Sequence, residues 1–142
     1  MSFTGNFEDR LMIRELMETY ADGVNQRSTE IWASTWADES EWNLTVVPGM
    51  EALKGKQNIV AGWEQSMALF PFVFMAITPG FIRIDGNTAT ARSYTAEVAV
   101  MEDGTDLRPR GQYDDELVKI DGQWFFKRRK FMSLHINGHS VV

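Results

Sequence analysis

The chain has 142 residues, with 14 Lys plus Arg against 20 Asp plus Glu and a formal net charge of −6. That length suits one domain with its own core, and zero cysteines exclude disulfides, thiol nucleophiles, iron–sulfur clusters and cysteine zinc sites. The acidic balance argues against nucleic-acid binding, no apolar run reaches the roughly 18 residues of a membrane span, and no signal-peptide pattern opens the chain, so a cytoplasmic domain is expected.

Asn6 precedes Phe7-Glu8-Asp9 and can cap a helix. Phe7, Leu11, Ile13, Leu16, Met17, Tyr20 and Val24 follow mostly at spacings of three and four, which predicts a helix of about five turns. Ser28 is a second cap, opening a short helix through Ile31, Trp32 and Trp36. Glu41 to Val47 places Trp42, Leu44 and Val46 on one parity, as in a strand that Pro48-Gly49 ends. Gly55 to Leu69 is helical again, with Ile59, Val60, Trp63 and Met67 on one side and Pro71 beyond its end.

The second half reads as antiparallel sheet. Phe72 to Ile77 is a short strand closed by Thr78-Pro79-Gly80, and Phe81 to Ile84 leads into the turn Asp85-Gly86-Asn87. Thr88 to Val100 is a long strand, turned at Asp103-Gly104. Tyr113 to Ile120 and Trp124 to Ser133 flank Asp121-Gly122, a strong hairpin signal. Residues 134–142 are too short and Gly-interrupted for an element. Helices followed by hairpins predict an α+β fold. The expected form is a single domain over 1–142, with a core from 7 to 133. A curved, mostly antiparallel sheet would wrap the N-terminal helices into a cone-shaped barrel with an apolar pocket.

Particular segments carry a resemblance. Arg10 to Tyr20, Trp36-Ala-Asp-Glu-Ser-Glu-Trp42, Lys54-Gly55-Lys56, Ile84 to Ala89 with Arg92 and Tyr94, Tyr113 to Trp124, and Arg128-Arg129 occur in that order. Together they resemble SnoaL-like proteins of the nuclear transport factor 2-like superfamily, over Phe7 to about Ser133. The superfamily includes scytalone dehydratase, hexachlorocyclohexane dehydrochlorinase, ketosteroid isomerase and polyketide cyclases, so the resemblance implies a fold more than an activity. In the dehydratase and dehydrochlorinase branch, a histidine on the strand after the third helix acts as base, and an aspartate ending the first helix orients it. Here Asn25 stands at the aspartate position and Met75 at the histidine position. Neither residue can do that chemistry.

Other residues are weighed one at a time. Tyr20 is either a core aromatic or a hydroxyl at the pocket floor. Asp22, roughly 200° further round the helix, points to solvent. Asn25 either ends the helix or hydrogen-bonds a ligand. Trp32 and Trp36 read as core, and Trp42 as cavity lining with an indole N–H to offer. Met75 is an adaptable apolar wall or core filler. On the strand from Thr88, the parity of Arg92, Tyr94, Ala96 and Val98 is the more apolar and is expected inward, bringing Tyr94 to the pocket. That leaves Ser93, Thr95 and Glu97 on the other face. The resemblance places Tyr113 and Asp115 inward, and Arg129, Phe131 and Ser133 share a side of the last strand. Asp115 either pairs with Arg129 across the hairpin or, unpaired, is the remaining acid or base. His135 and His139 have a helical metal-ligand spacing, but Asn137-Gly138 between them breaks a helix, so no metal is expected.

The first functional reading is a cofactor-free lyase or isomerase, dehydratase-like but with a degraded His–Asp dyad. It would abstract a proton from a small apolar cyclic molecule. Asp115 and Tyr20 would be catalytic, a tyrosine donating to developing oxyanion charge. Asn25, Trp42, Met75, Tyr94, Tyr113, Arg129 and Phe131 would bind the ligand. The alternative is a non-catalytic binding or oligomerisation module on the same fold. A homodimer or homotrimer is expected in either case, with no nucleic-acid, membrane, metal or redox-cofactor partner.

Overall fold

Asn6 opens the long helix as its side chain predicts: its Oδ1 accepts from the Asp9 backbone N–H at 2.8 Å. In the computed structural model, which describes residues 1–45 and 48–137, this helix (α1) spans Phe7–Asn25. Its inward stripe is Asp9, Ile13, Met17, Tyr20 and Val24, all buried. Phe7 and Leu11, expected in the stripe, are 83% and 56% exposed. Each lies two residues from Asp9, roughly 200° round the helix. Asp9 takes the inward place because Trp124 Nε1 and Lys119 Nζ reach its carboxylate at 2.8 and 3.0 Å.

Ser28 caps the short helix α2 (Thr29–Ala33), accepting from Ile31 N at 3.2 Å. The two helices touch at Gly23, where a Cβ would stand 2.7 Å from the Trp32 backbone nitrogen. Trp36 is not helical: it begins strand β2 (Trp36–Asn43), which starts and ends earlier than the alternation from Glu41 suggests. Val46 and Val47 of that expected strand lie outside the described residues. Strand β3 (Leu53–Lys54) leads through Gly55, at φ +85°, into α3 (Lys56–Met67). There the apolar face buries Ile59 and Trp63.

Pro79-Gly80 does not end a strand. β4 runs unbroken over Phe72–Asp85, and the pair forms a bulge between Pro79 and Phe81. A bulge tolerates the missing proline donor and bends the strand. β5 (Thr88–Val100) matches its predicted bounds. The Asp103-Gly104 turn brings a two-residue strand β6 (Asp106–Leu107) back against β5. β7 (Arg110–Ile120) and β8 (Gln123–His135) are joined at Asp121 and Gly122, with φ +50° and +79°. Two positive φ values in a two-residue loop match the twist of the flanking strands. β1 (Phe3–Thr4) was not legible as a strand; it pairs parallel to β4.

Among the described residues the strands form one curved, unclosed sheet in the order β1-β4-β5-β7-β8-β2-β3, with β6 on β5. β2–β8 and β1–β4 are parallel, and the other pairings are antiparallel. This is the expected α+β architecture. The core between helices and sheet is aromatic: Trp32 stacks on Trp63 at 4.6 Å, and Tyr20 packs against Trp32, Trp36 and Phe126.

Candidate functional site: an apolar cavity with a phenol pair at its floor

The helices do not fill the concave side of the sheet. A cavity of about 400 Å³ remains, an ordinary size for a small-molecule site. Val24, Trp63, Met67, Val73 and Met75 form apolar wall, and Tyr20, Trp42 and Tyr113 bring polar atoms to it. The Tyr20 and Tyr113 hydroxyls are 3.2 Å apart. Trp42 Nε1 donates to the Tyr113 oxygen at 3.3 Å. One phenolic proton is spent between the two hydroxyls, and the other is left for a ligand acceptor. Burial pushes both phenols up from 10.0, so they stay neutral donors.

Arg129 and Asp115 sit behind this floor and do not line the cavity. Both side chains are fully buried. Arg129 Nε and Nη2 meet the two Asp115 oxygens at 2.8 and 3.1 Å, and Nη2 also reaches Ser93 Oγ at 3.2 Å. The guanidinium lies 3.8 Å from the Tyr113 ring centre, 4.0 Å from Phe126 and 4.4 Å from Tyr20. Burial pushes the Asp115 carboxyl up while Arg129 pulls it down. Asp115 is therefore the paired residue of the two alternatives, with both oxygens engaged. The expectation that it meets substrate as a free acid or base is corrected.

Two other expected ligand contacts are also corrected. Tyr94 is 40% exposed on the outer face of the sheet, because the inward positions of β5 beneath the helices are Ala89, Ala91, Ser93 and Thr95, all buried and small. A tyrosine has no room in that row. Asn25 donates from Nδ2 to the Met75 carbonyl at 2.9 Å and accepts from Met75 N–H at 2.7 Å. Its amide is used as a clamp between α1 and β4, and it is not among the cavity-lining residues. Tyr20, Trp42, Met75, Tyr113 and Phe131 do converge on the cavity, whereas Arg129 acts on it only through the rings it underlies.

The reversed parity of β5 brings in a residue the sequence reading had placed outside. Glu97 lines the cavity and stands directly across from Met75 in the β4–β5 pairing. Among the described residues no hydrogen bond or ion pair reaches its carboxylate, and burial pushes it from 4.5 to about 7. The buried Ser133 hydroxyl also lines the cavity with no partner among the described residues. The signal for Glu97 was present in Ala89, Ala91 and Ala99, which share its parity. His135 ends β8 with an exposed side chain, and His139 lies outside the described residues.

Helices on the concave face of a curved, open sheet, over an apolar cavity with a few polar groups, define a protein of the nuclear transport factor 2-like class. The SnoaL-like domain family model matches residues 6–130, and the chain belongs to that family. No curated protein matches it. Among solved structures it is similar to the Kfla4162 protein of Kribbella flavida, at 23% identity and TM-score 0.83, covering 92% of this chain and 93% of that one. A candidate scytalone dehydratase from Novosphingobium aromaticivorans shares 22% identity at TM-score 0.83, over 96% and 91% of the two chains. The hexachlorocyclohexane dehydrochlorinase LinA-type3 of Novosphingobium barchaimii shares 17% at 0.76, over 95% and 92%. Identities this low establish the shared fold.

Proposed function

We propose that the cavity takes a small, mostly apolar ring compound by its oxygen, and that the protein is a cofactor-free lyase or isomerase of the dehydratase kind. The observation that carries this reading is the pair of neutral phenols, 3.2 Å apart, at the floor of an apolar cavity. In such reactions a proton leaves the carbon beside an oxygen-bearing carbon, and negative charge collects on the oxygen. Neutral donors already in place, away from water, stabilise that charge without reorganising. The lyase names among the structural neighbours are consistent with this class. The His–Asp dyad is not part of it, since Asn25 is engaged with the backbone of Met75.

The test is binding of 1-naphthol, 1-tetralone and naphthalene, followed by the fluorescence of Trp42 and Trp63 in the cavity wall. The two oxygenated probes bind the protein more tightly than naphthalene. Tyr113→Phe weakens them by about tenfold, the loss of one hydrogen bond of roughly 1.4 kcal/mol. Equal binding of all three probes, unchanged in Tyr113→Phe, refutes the reading. A second reading, self-association, is favoured by Phe72, Phe74 and Tyr94, which are 52%, 48% and 40% exposed on the outer face of β4 and β5. Light scattering expects a dimer or trimer, and a single-chain mass excludes it.

A further inference from the structure

We propose that Glu97 is the proton-transferring group of this cavity, standing across the strand pair from the position where the resembled branch carries its histidine. The inference deepens the proposed function and rests on it. The register is the first support. Met75 and Glu97 are Cα partners of β4 and β5, and both line the cavity. Directly opposed side chains on one face have Cβ atoms about 5 Å apart. A carboxylate at Glu97 thus covers nearly the same wall as a base at Met75 would, without Asn25 having to hold it.

The second support is that no structural use is found for its carboxylate among the described residues. A carboxylate withdrawn even partly from water normally has a cation or donors around it. Asp9, Glu41 and Asp115 all do. No such partner reaches Glu97 among the described residues, and Arg110 approaches only its backbone carbonyl, at 3.4 Å. The titratable groups that act on the same space are Tyr20 and Tyr113, whose phenols feel the Glu97 charge.

The third support is placement. Tyr113 pairs with Ser93, four residues before Glu97 on β5, so the two backbones are separated by about 13 Å along the strand. A ring compound bound between them has its oxygen at one end and a C–H at the other. The substrate class is a cyclic ketone or its β-hydroxy derivative, its oxygen on the phenols and an acidic C–H toward Glu97. The carboxylate takes that proton, and the C–H electron pair moves into an enolate whose oxygen the phenols hold. The enolate then expels the β-hydroxyl, which takes the proton back from Glu97 and leaves as water. Where the ketone carries no β-hydroxyl, the proton returns to the same α-carbon, which exchanges its hydrogen without net reaction. Each route restores the carboxylate.

Exchange of the α-hydrogens of 1-tetralone in D₂O, followed by proton NMR, reads the first step with no knowledge of the natural substrate. The protein accelerates exchange above buffer, and the enzymatic rate rises with pH and levels above about 7. Glu97→Gln lowers the enzymatic rate by about 100-fold or more, while 1-tetralone binding by tryptophan fluorescence changes less than about threefold. Glu97→Asp keeps part of the rate. Binding without exchange, or exchange unaltered in a folded Glu97→Gln, overturns the inference and leaves the cavity reading intact. No binding of 1-tetralone by the unaltered protein overturns both.

Discussion

Glu97 also makes a prediction about stability that needs no substrate. Its carboxyl titrates at about 7 in the folded protein against 4.5 when unperturbed. A raised carboxyl means that the folded state holds a proton the unfolded chain has already released. Stability is therefore unaffected below 4.5, falls as pH rises, and reaches its full penalty above about 7. At about 1.36 kcal/mol per pH unit the penalty is about 3 kcal/mol, and access of water to the cavity lowers it to roughly 2. Glu97→Gln keeps the shape and removes the charge. Urea denaturation at pH 5 and pH 8 measures the difference. The variant should exceed the unaltered protein by only about 0.5 kcal/mol at pH 5 and by about 2 kcal/mol at pH 8, a midpoint shift of about 1 M at the higher pH. Asp9 does not interfere, because its carboxyl is held at about 2 by Trp124, Asn6 and Lys119. Two stability curves with a constant separation between pH 5 and pH 8 refute the idea that Glu97 is a half-buried carboxyl without a partner among the described residues.

Replacing Arg129 by Met leaves Asp115 buried without its partner, with an expected loss of about 3–5 kcal/mol in urea denaturation; Asp115→Leu with Arg129→Met recovers most of it. Asn25→Asp cannot donate to the Met75 carbonyl, so it costs about 2 kcal/mol at pH 7 and less at pH 3.5, where a protonated aspartate regains the donor. Asp9→Asn weakens the bonds from Trp124 and Lys119 and lowers stability by about 1–2 kcal/mol at pH 7. The Asp9 contribution is present above 3.8 and disappears as pH falls through about 2, which acid titration of the two proteins compares. Gly23→Ala places a Cβ 2.7 Å from the Trp32 backbone and lowers the thermal midpoint by several degrees, whereas a helix glycine facing open space would be improved by alanine.

How far the sequence was legible follows from what each signal depends on. Local chemistry read well. The Asn6 and Ser28 caps, the Asp121-Gly122 turn and the bounds of β5 each depend on a few adjacent side chains, and all appear where expected. Pro79-Gly80 misled because the same dipeptide serves a turn or a bulge, and only the partner strand decides which. β1 and β6 have two residues each and exist through their neighbours alone.

The site residues divide along the same line. Trp42 was legible as a large amphipathic side chain on a strand, Tyr113 faced inward only by the resemblance, and Tyr20 stood open between core and pocket; all three are buried. The face of β5 was not decided by hydropathy over Arg92 to Val98. It was decided by how closely the helices approach the sheet, which admits Ala91, Ser93 and Thr95 and expels Tyr94. Past Thr95 that constraint relaxes, the cavity opens, and the inward row carries a glutamate with no partner among the described residues. Hydropathy alone assigns a glutamate to solvent. Its inward placement follows from its spacing from Ala91 and Ala99 on a strand of alternating faces.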